Sequence, residues 1–339
     1  MKWLGSSGLF LATALLVCSA PAGAAGPLPS VRLPESAAIR GLPPPSFARS
    51  AHSYGWPIRP FGVKHLIRSG LGDPRVGALE RNFHFGIDIP AADRTPVYAV
   101  EAGTAYLSPG RVAVLTNFRP GDRTGFTYWH IDPAVQQRSF VRPHSLIGWI
   151  KPGRGHVHFA EIQNDRYVNP LRPGALTPAP DLSRPTIDSV TVEPIGQDPD
   201  SDGAVSGRIR IVIEASARPV QTPPPPWQGS VIAPSLVLWR LLAEGAAVSE
   251  WRTAVDFRNY IPPNTRYADI YTPQAKPDWP NRPGIFLFYL ARNWDTSALE
   301  PGAYTIQVAA YEGAKNVTAT APLQIAEPVV APTETVSLP

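Results

Sequence analysis

Proline supplies 41 of the 339 residues, more than twice the usual ~5%. Its ring fixes φ and removes a backbone N–H, so a chain this rich in proline is steered away from long helices and towards short strands joined by turns. The residues between the prolines agree. Runs at 95–100 (TPVYAV), 103–107 (GTAYL), 112–116 (VAVLT) and 126–129 (FTYW) are separated by Gly, Pro, Asp and Asn turns. After a second proline-rich break at 173–185, strand-like runs resume at 186–192 (TIDSVTV), 208–214 (RIRIVIE), 235–241, 285–290 and 303–310. Ile209, Ile211 and Ile213 share one face of such a strand. The expectation is an all-β chain: a compact antiparallel β-sheet domain followed by an immunoglobulin-like β-sandwich. Residues 223–226 and 262–283 read as surface loops.

The N-terminus reads as a targeting segment. Lys2 precedes an apolar stretch from Gly8 to Ala20 that is too short to span a bilayer, and Ala22-Gly23-Ala24 fits small-x-small cleavage. The single cysteine, Cys18, lies inside that stretch, which excludes an intrachain disulfide and a cysteine-based zinc site. A lipid anchor at Cys18 is disfavoured by the bulk of Val17. No later segment is apolar enough for a transmembrane helix, so the mature protein is expected to be secreted or held in the cell envelope. The net charge of +4 is too small for a dedicated nucleic-acid binder. The expected divisions are a signal peptide at 1–25, a Pro-rich linker at 26–52, a first domain at 53–175, a linker at 176–185, the β-sandwich at 186–327 and a disordered tail at 328–339.

The chemistry concentrates in histidines. On a strand, His156 and His158 point to one face, as i and i+2 must. His84 and Asp88 are four apart, and Gly86, Ile87, Ile89 and Pro90 argue for an extended segment rather than a helix. His84, Asp88 and one of the H-x-H pair make two nitrogens and one oxygen, the usual number of protein ligands for catalytic zinc. His130, in Tyr128-Trp129-His130, lies between the two motifs. H-E-x-x-H is absent, which excludes a helical glutamate-base metalloprotease.

Over residues 53–174 these motifs resemble the lysostaphin/LytM-type zinc endopeptidases. The resemblance is carried by HFGIDIPAADRTPVYAVEAGTAYLS (84–108), WPIRPFG (56–62) with GLGDPR (70–75), and GHVHFAEI (155–162) followed by Tyr167-Val168-Asn169-Pro170. It implies an antiparallel metallopeptidase fold with His84, Asp88 and His158 as zinc ligands, and His130 and His156 as the catalytic pair. Which of that pair is the base stays open. The family often has a glutamate directly after H-x-H-F, where this chain has Ala160. Glu161 is therefore expected to point away from the histidine face. The loop at 151–155 is short, and lacks the Ser/Thr-Gly stretch common in the family.

The resemblance implies an exported zinc metalloendopeptidase acting on stem or cross-bridge peptides of peptidoglycan. A wall polymer or envelope protein would bind through the C-terminal domain. The alternative is an inactive envelope protein that binds the wall or activates another wall hydrolase. His52, His65 and His144 read as surface or structural residues, and Arg75 as a salt-bridged surface arginine. The DPDSDG stretch at 198–203 reads as a solvated turn, because position twelve of a calcium loop would fall on Ile209.

Overall fold

The computed structural model describes residues 49–77, 81–196 and 203–327. The expected signal peptide, most of the arm that follows it, most of the DPDSDG turn and the C-terminal tail lie outside the described residues. Nearly every element is a strand. The helical pieces among the described residues are a 3-10 turn at Asn264–Arg266 and one short helix, Tyr267–Ile270. The chain is all-β, as its proline content and alternation require, and no helix among the described residues is long and apolar enough to cross a membrane.

The N-terminal half is built on a seven-stranded antiparallel sheet. Within it His156–Gln163 pairs with Thr124–Trp129 on one side. On the other side it pairs with Ile87–Pro90 and then with Arg166–Val168. The sheet continues through Arg111–Asn117, Gly103–Ser108 and Phe140–Val141. A three-stranded sheet of Pro96–Tyr98, Leu146–Ile150 and Ile131–Pro133 covers one face. Between the two lies an apolar core that includes Ile87, Ile89, Val97, Tyr128, Val157 and Phe159. Period two does the rest. Because Ile87, Ile89, Val157 and Phe159 point into this core, Asp88, His156 and His158 point away from it. The register sets His158 opposite Asp88, and a one-residue slip would send the apolar set to the wrong face.

The C-terminal half has two antiparallel sheets. One holds Thr186–Pro194, Arg208–Ser216 and Leu287–Asp295; the other holds Ala246–Ala247, Leu236–Ala243, Gly302–Glu312 and Lys315–Ile325, with Arg252–Asp256 also on Leu236–Ala243. Ile209, Ile211 and Ile213 from the first sheet meet Val237, Trp239, Ile306 and Val308 from the second in one core. Part of 262–283 is not a surface loop: Tyr267, Ile270 and Tyr271 are buried in that core. The proline-flanked helix is short, but it and the residue after it add the Tyr267 and Tyr271 rings to that core.

The two halves share their interiors. Leu71 and Phe83 belong to the C-terminal core, and Ile232 belongs to the N-terminal one. The backbone of Gly72, at φ +91°, lies so close to the Phe257 ring that an added Cβ would meet it at 2.3 Å. Tyr271 donates its hydroxyl to the Gly72 carbonyl at 2.9 Å. Asn169 N–H donates to the Asn259 carbonyl, and Ile261 N–H to the Tyr167 carbonyl. The C-terminal half thereby extends along the Arg166–Val168 edge beside the histidines.

Candidate metal centre

The structure brings His84, Asp88, His130, His156 and His158 to the wall of one cleft of about 900 Å³. Among the described residues His84, Asp88 and His158 form a buried group able to hold a metal ion. His84 Nε2 lies 2.7 Å from His158 Nδ1, and each lies 3.1 Å from Asp88 Oδ1.

Close approach of the two strands is what permits this. A Cβ at Gly86 would meet the Phe159 carbonyl oxygen at 2.3 Å and His158 Cε1 at 3.0 Å, so only glycine lets the His84–Asp88 segment lie against the H-x-H strand.

Tautomers follow from the partners. His84 Nδ1 lies 2.7 Å from the Gly70 carbonyl oxygen, which can only accept. Nδ1 therefore carries the proton, and Nε2 presents a lone pair towards Asp88 Oδ1. Burial, with Arg75 adding to it, lowers the His84 pKa to about 3, so the ring is neutral. Burial by itself would raise Asp88. The neighbouring rings of His84, His156 and His158 outweigh it and hold the carboxyl well below the usual range. Two lone-pair bearers 3.1 Å apart in a buried site need a positive centre between them. The donor set passes the test for zinc. Tetrahedral N and O ligands stand about 3.3 Å from one another, and the three separations here are slightly shorter. His158 Nε2 is buried without a partner among the described residues, so Nδ1 is the atom that the cluster uses.

Outside the three candidate ligands lies a relay of hydrogen bonds. Asp88 Oδ2 accepts from Arg75 Nη2 at 3.2 Å, and Arg75 Nη2 also donates to Ser69 Oγ at 2.7 Å. Ser69 Oγ donates to Asp73 Oδ2, and Asp73 Oδ1 accepts from Ala233 N–H of the C-terminal half. Burial raises Asp73 to about 6, against the pull of Arg75. Asp73 also accepts from Gly70 N–H, so it fixes the carbonyl that orients His84. Arg75 is salt-bridged and 36% exposed, as read from the sequence, and its partner is Asp88.

His156 and His130 stand beside the cluster, with ring centroids 4.7 Å apart. His156 Nδ1 donates to the Arg154 carbonyl at 2.6 Å. Its Nε2 then accepts from Arg68 Nη2 at 3.1 Å. Burial lowers the His156 pKa, with Arg68 contributing. Burial and the neighbouring His156 bring His130 down to about 4. His130, at φ +66°, ends its strand in a left-handed turn that swings the ring towards His156.

Arg68 is the residue that sequence reading missed. It ion-pairs with Asp88 Oδ2 at 3.3 Å, and its guanidinium lies 3.9 Å from the ring centre of Trp227 in the C-terminal half. No local signal marks that pairing; it joins segments 159 residues apart. Glu161, by contrast, is buried away from the cleft, as expected. It accepts from Tyr54 Oη at 2.5 Å and from both terminal nitrogens of Arg172 at 2.7 and 2.6 Å. His144 stacks on Phe61 at 4.1 Å, and His65 contacts the Pro60 carbonyl at 3.0 Å. His52 is exposed.

No protein-family model matches the chain, and no curated protein matches it. Among solved structures the chain is similar to a zinc-containing peptidase from Vibrio cholerae, at 19% identity over 35% of this chain and 39% of that one, with a TM-score of 0.29. It is similar to Csd3 of Helicobacter pylori at 21% identity over 38% of this chain and 36% of that one, again at 0.29. The catalytic domain of the antimicrobial peptidase lysostaphin from Staphylococcus simulans aligns over 30% of this chain and 85% of its own, at 21% identity and a TM-score of 0.25. The chain therefore spans less than two thirds of the first two of these structures.

Proposed function

We propose that the chain is an exported zinc metalloendopeptidase that hydrolyses peptide bonds in peptidoglycan stem or cross-bridge peptides. The observation that carries this reading is the convergence of His84 Nε2, Asp88 Oδ1 and His158 Nδ1, with two further imidazoles on the same cleft wall. Held by those three residues, zinc would supply Lewis acidity and lower the pKa of a bound water to about 7.

The chain's own residues divide the remaining work. The Gly70 carbonyl and Asp73 keep the His84 lone pair on the cluster. The Phe85 and Trp129 rings, in edge contact with each other and with His158, shield that side from water. The His130 ring is neutral at physiological pH and makes no hydrogen bond among the described residues, so it is free to take a proton from water. His156 is less free, because Arg154 and Arg68 occupy both of its nitrogens. We therefore assign His130 as the base, which takes the proton from water and returns it to the leaving amine, and His156 to the developing oxyanion, which requires its Nε2 to carry a proton in place of accepting from Arg68. Residues 53–175 carry this chemistry. Segment 186–327 supplies the opposite wall of the cleft through Ile261, Pro262, Pro263 and Asn264.

The test is mass spectrometry of fragments released from purified peptidoglycan by the zinc-loaded chain. New peptide termini that disappear in His130→Ala and His156→Ala are expected. No release from intact wall by a chain that has taken up zinc overturns the reading and favours a wall-binding role.

A further inference from the structure

A second cleft, of about 460 Å³, adjoins the first across Arg68, Arg75 and Asp88. Ser69, Val76 and Gly77 complete its N-terminal side, and the C-terminal half supplies Trp227 and the Pro277–Pro280 turn. Two guanidinium groups face it while sharing a single oxygen, Asp88 Oδ2. A guanidinium carries five N–H donors. Arg68 spends Nη2 on Asp88 and His156, and its buried Nε has no partner among the described residues. The Trp227 ring, 3.9 Å from the Arg68 guanidinium carbon, props the group against the cleft wall.

The other acid in this wall is already engaged. Both oxygens of Asp278 accept backbone N–H groups, from Val231 and Gly284. Burial first, then Asp73, raises its pKa to about 7, which weakens it as a counter-charge. Reciprocal backbone bonds between Trp279 and Arg282, each 2.9 Å, pin the same turn. On that rigid mount Trp279 is nevertheless 55% exposed. A large ring held out beside unsaturated arginine donors is a recognition feature, because aromatic and arginine anchors carry most binding energy where they occur together.

We propose that this cleft is a subsite for a carboxylate-bearing residue of the peptide substrate, gripped by Arg68 and Arg75 and covered by Trp279. The planar fork of arginine matches a carboxylate in two parallel hydrogen bonds, whereas an uncharged glycine bridge offers it only amide carbonyls. The inference rests on the proposed peptidase reading and sharpens it: the chain selects anionic stem peptides over neutral cross-bridges. It also gives the C-terminal half a direct part in substrate choice.

The test separates binding from cleavage. Two synthetic stem-like peptides, identical except that one carries a side-chain carboxylate and the other its carboxamide, are N-methylated at every backbone amide that could be cut. Their binding to the full, zinc-loaded chain is followed by calorimetry and tryptophan fluorescence. The acidic peptide is expected to bind about tenfold tighter or more, as a charge-assisted hydrogen bond implies. Arg75→Gln and Arg68→Gln should bring the two peptides to within about twofold of each other, while Arg68→Lys keeps part of the preference. Trp279→Ala, at an exposed position, should weaken the acidic peptide without unfolding the chain. Equal binding of both peptides to the wild-type chain overturns the subsite, as does a preference that survives in both Gln variants. Because neither peptide is cut, a failure of the hydrolase reading shows up separately, as absence of wall fragments with the carboxylate preference intact.

Discussion

Two buried carboxylates lie within reach of the same strand, and they are treated differently. Glu161 is matched group for group: Arg172 on both oxygens, Tyr54 on one and Gln163 on the other. Asp88 gives Oδ2 to two arginines, but turns Oδ1 to a histidine nitrogen whose lone pair faces it. The first arrangement is complete and locks the sheet to the segment that follows it. The second is complete only with a cation. Asp88 pairs with His158 across the two strands and shares its face, whereas Glu161 alternates to the opposite face, so one serves the fold and the other the cleft.

Breaking the closed pair should have the largest effect on stability. Arg172→Ala leaves Glu161 buried and unpaired, which should cost about 3–5 kcal/mol, read by urea unfolding, with zinc affinity of the surviving folded fraction unchanged. The open site should behave in reverse. His158→Ala should lower zinc affinity by more than about 100-fold, beyond the 10–100-fold typical for loss of a partner that merely orients a ligand. Calorimetric titration reads that affinity, and unfolding of the metal-free chain should shift little.

Gly86→Ala tests whether the two strands must touch. Its Cβ would strike the Phe159 carbonyl, so it should cost about 1–3 kcal/mol as an overpacking change and weaken zinc binding as well. A variant with wild-type stability and affinity would show that the backbone can give way there. The charge states separate next. Burial keeps His84 neutral down to about pH 3 and His130 to about pH 4, so in the metal-free chain proton uptake by both rings lies below the usual 6.5. NMR of the ring carbons should find His84 unchanged from pH 7.5 to 4.5, with His130 beginning to move near pH 5. Titration of either ring near 6.5 would refute the burial argument. The smallest effect belongs to Lys64–Asp181, whose side chains are 51% and 53% exposed. Lys64→Ala should change stability by less than about 1 kcal/mol.

The contrast also marks how far the sequence could be read. Spacing alone put His156 and His158 on one face, because the strand period is local. It also sent Glu161 away from them. The partners of these groups were not legible. Arg172 meets Glu161 across 11 residues, but Tyr54 comes from 107 residues away, and Trp227 reaches Arg68 from the other half of the chain. Such contacts depend on how the sheets pack, and a proline-rich loop carries no periodic signal that announces them. The same reason hid Tyr267 and Tyr271, which read as loop residues yet fill the C-terminal core. Many strand positions were recovered within a few residues, but short strands such as Ile131–Pro133 and Phe140–Val141 were missed, as were Leu146–Ile150, Arg252–Asp256 and Lys315–Ile325. The last of these alternates Thr and Ala with few large residues, which weakens its signal.

The central claim is that His84, Asp88 and His158 hold one zinc ion. Its most direct test is metal content and titration of the full chain by mass spectrometry and calorimetry, beside Asp88→Ala and Glu161→Gln. The account predicts one zinc per wild-type chain, retained in Glu161→Gln and lost in Asp88→Ala. Zinc uptake that survives in Asp88→Ala, or no uptake by a folded wild-type chain, would contradict it.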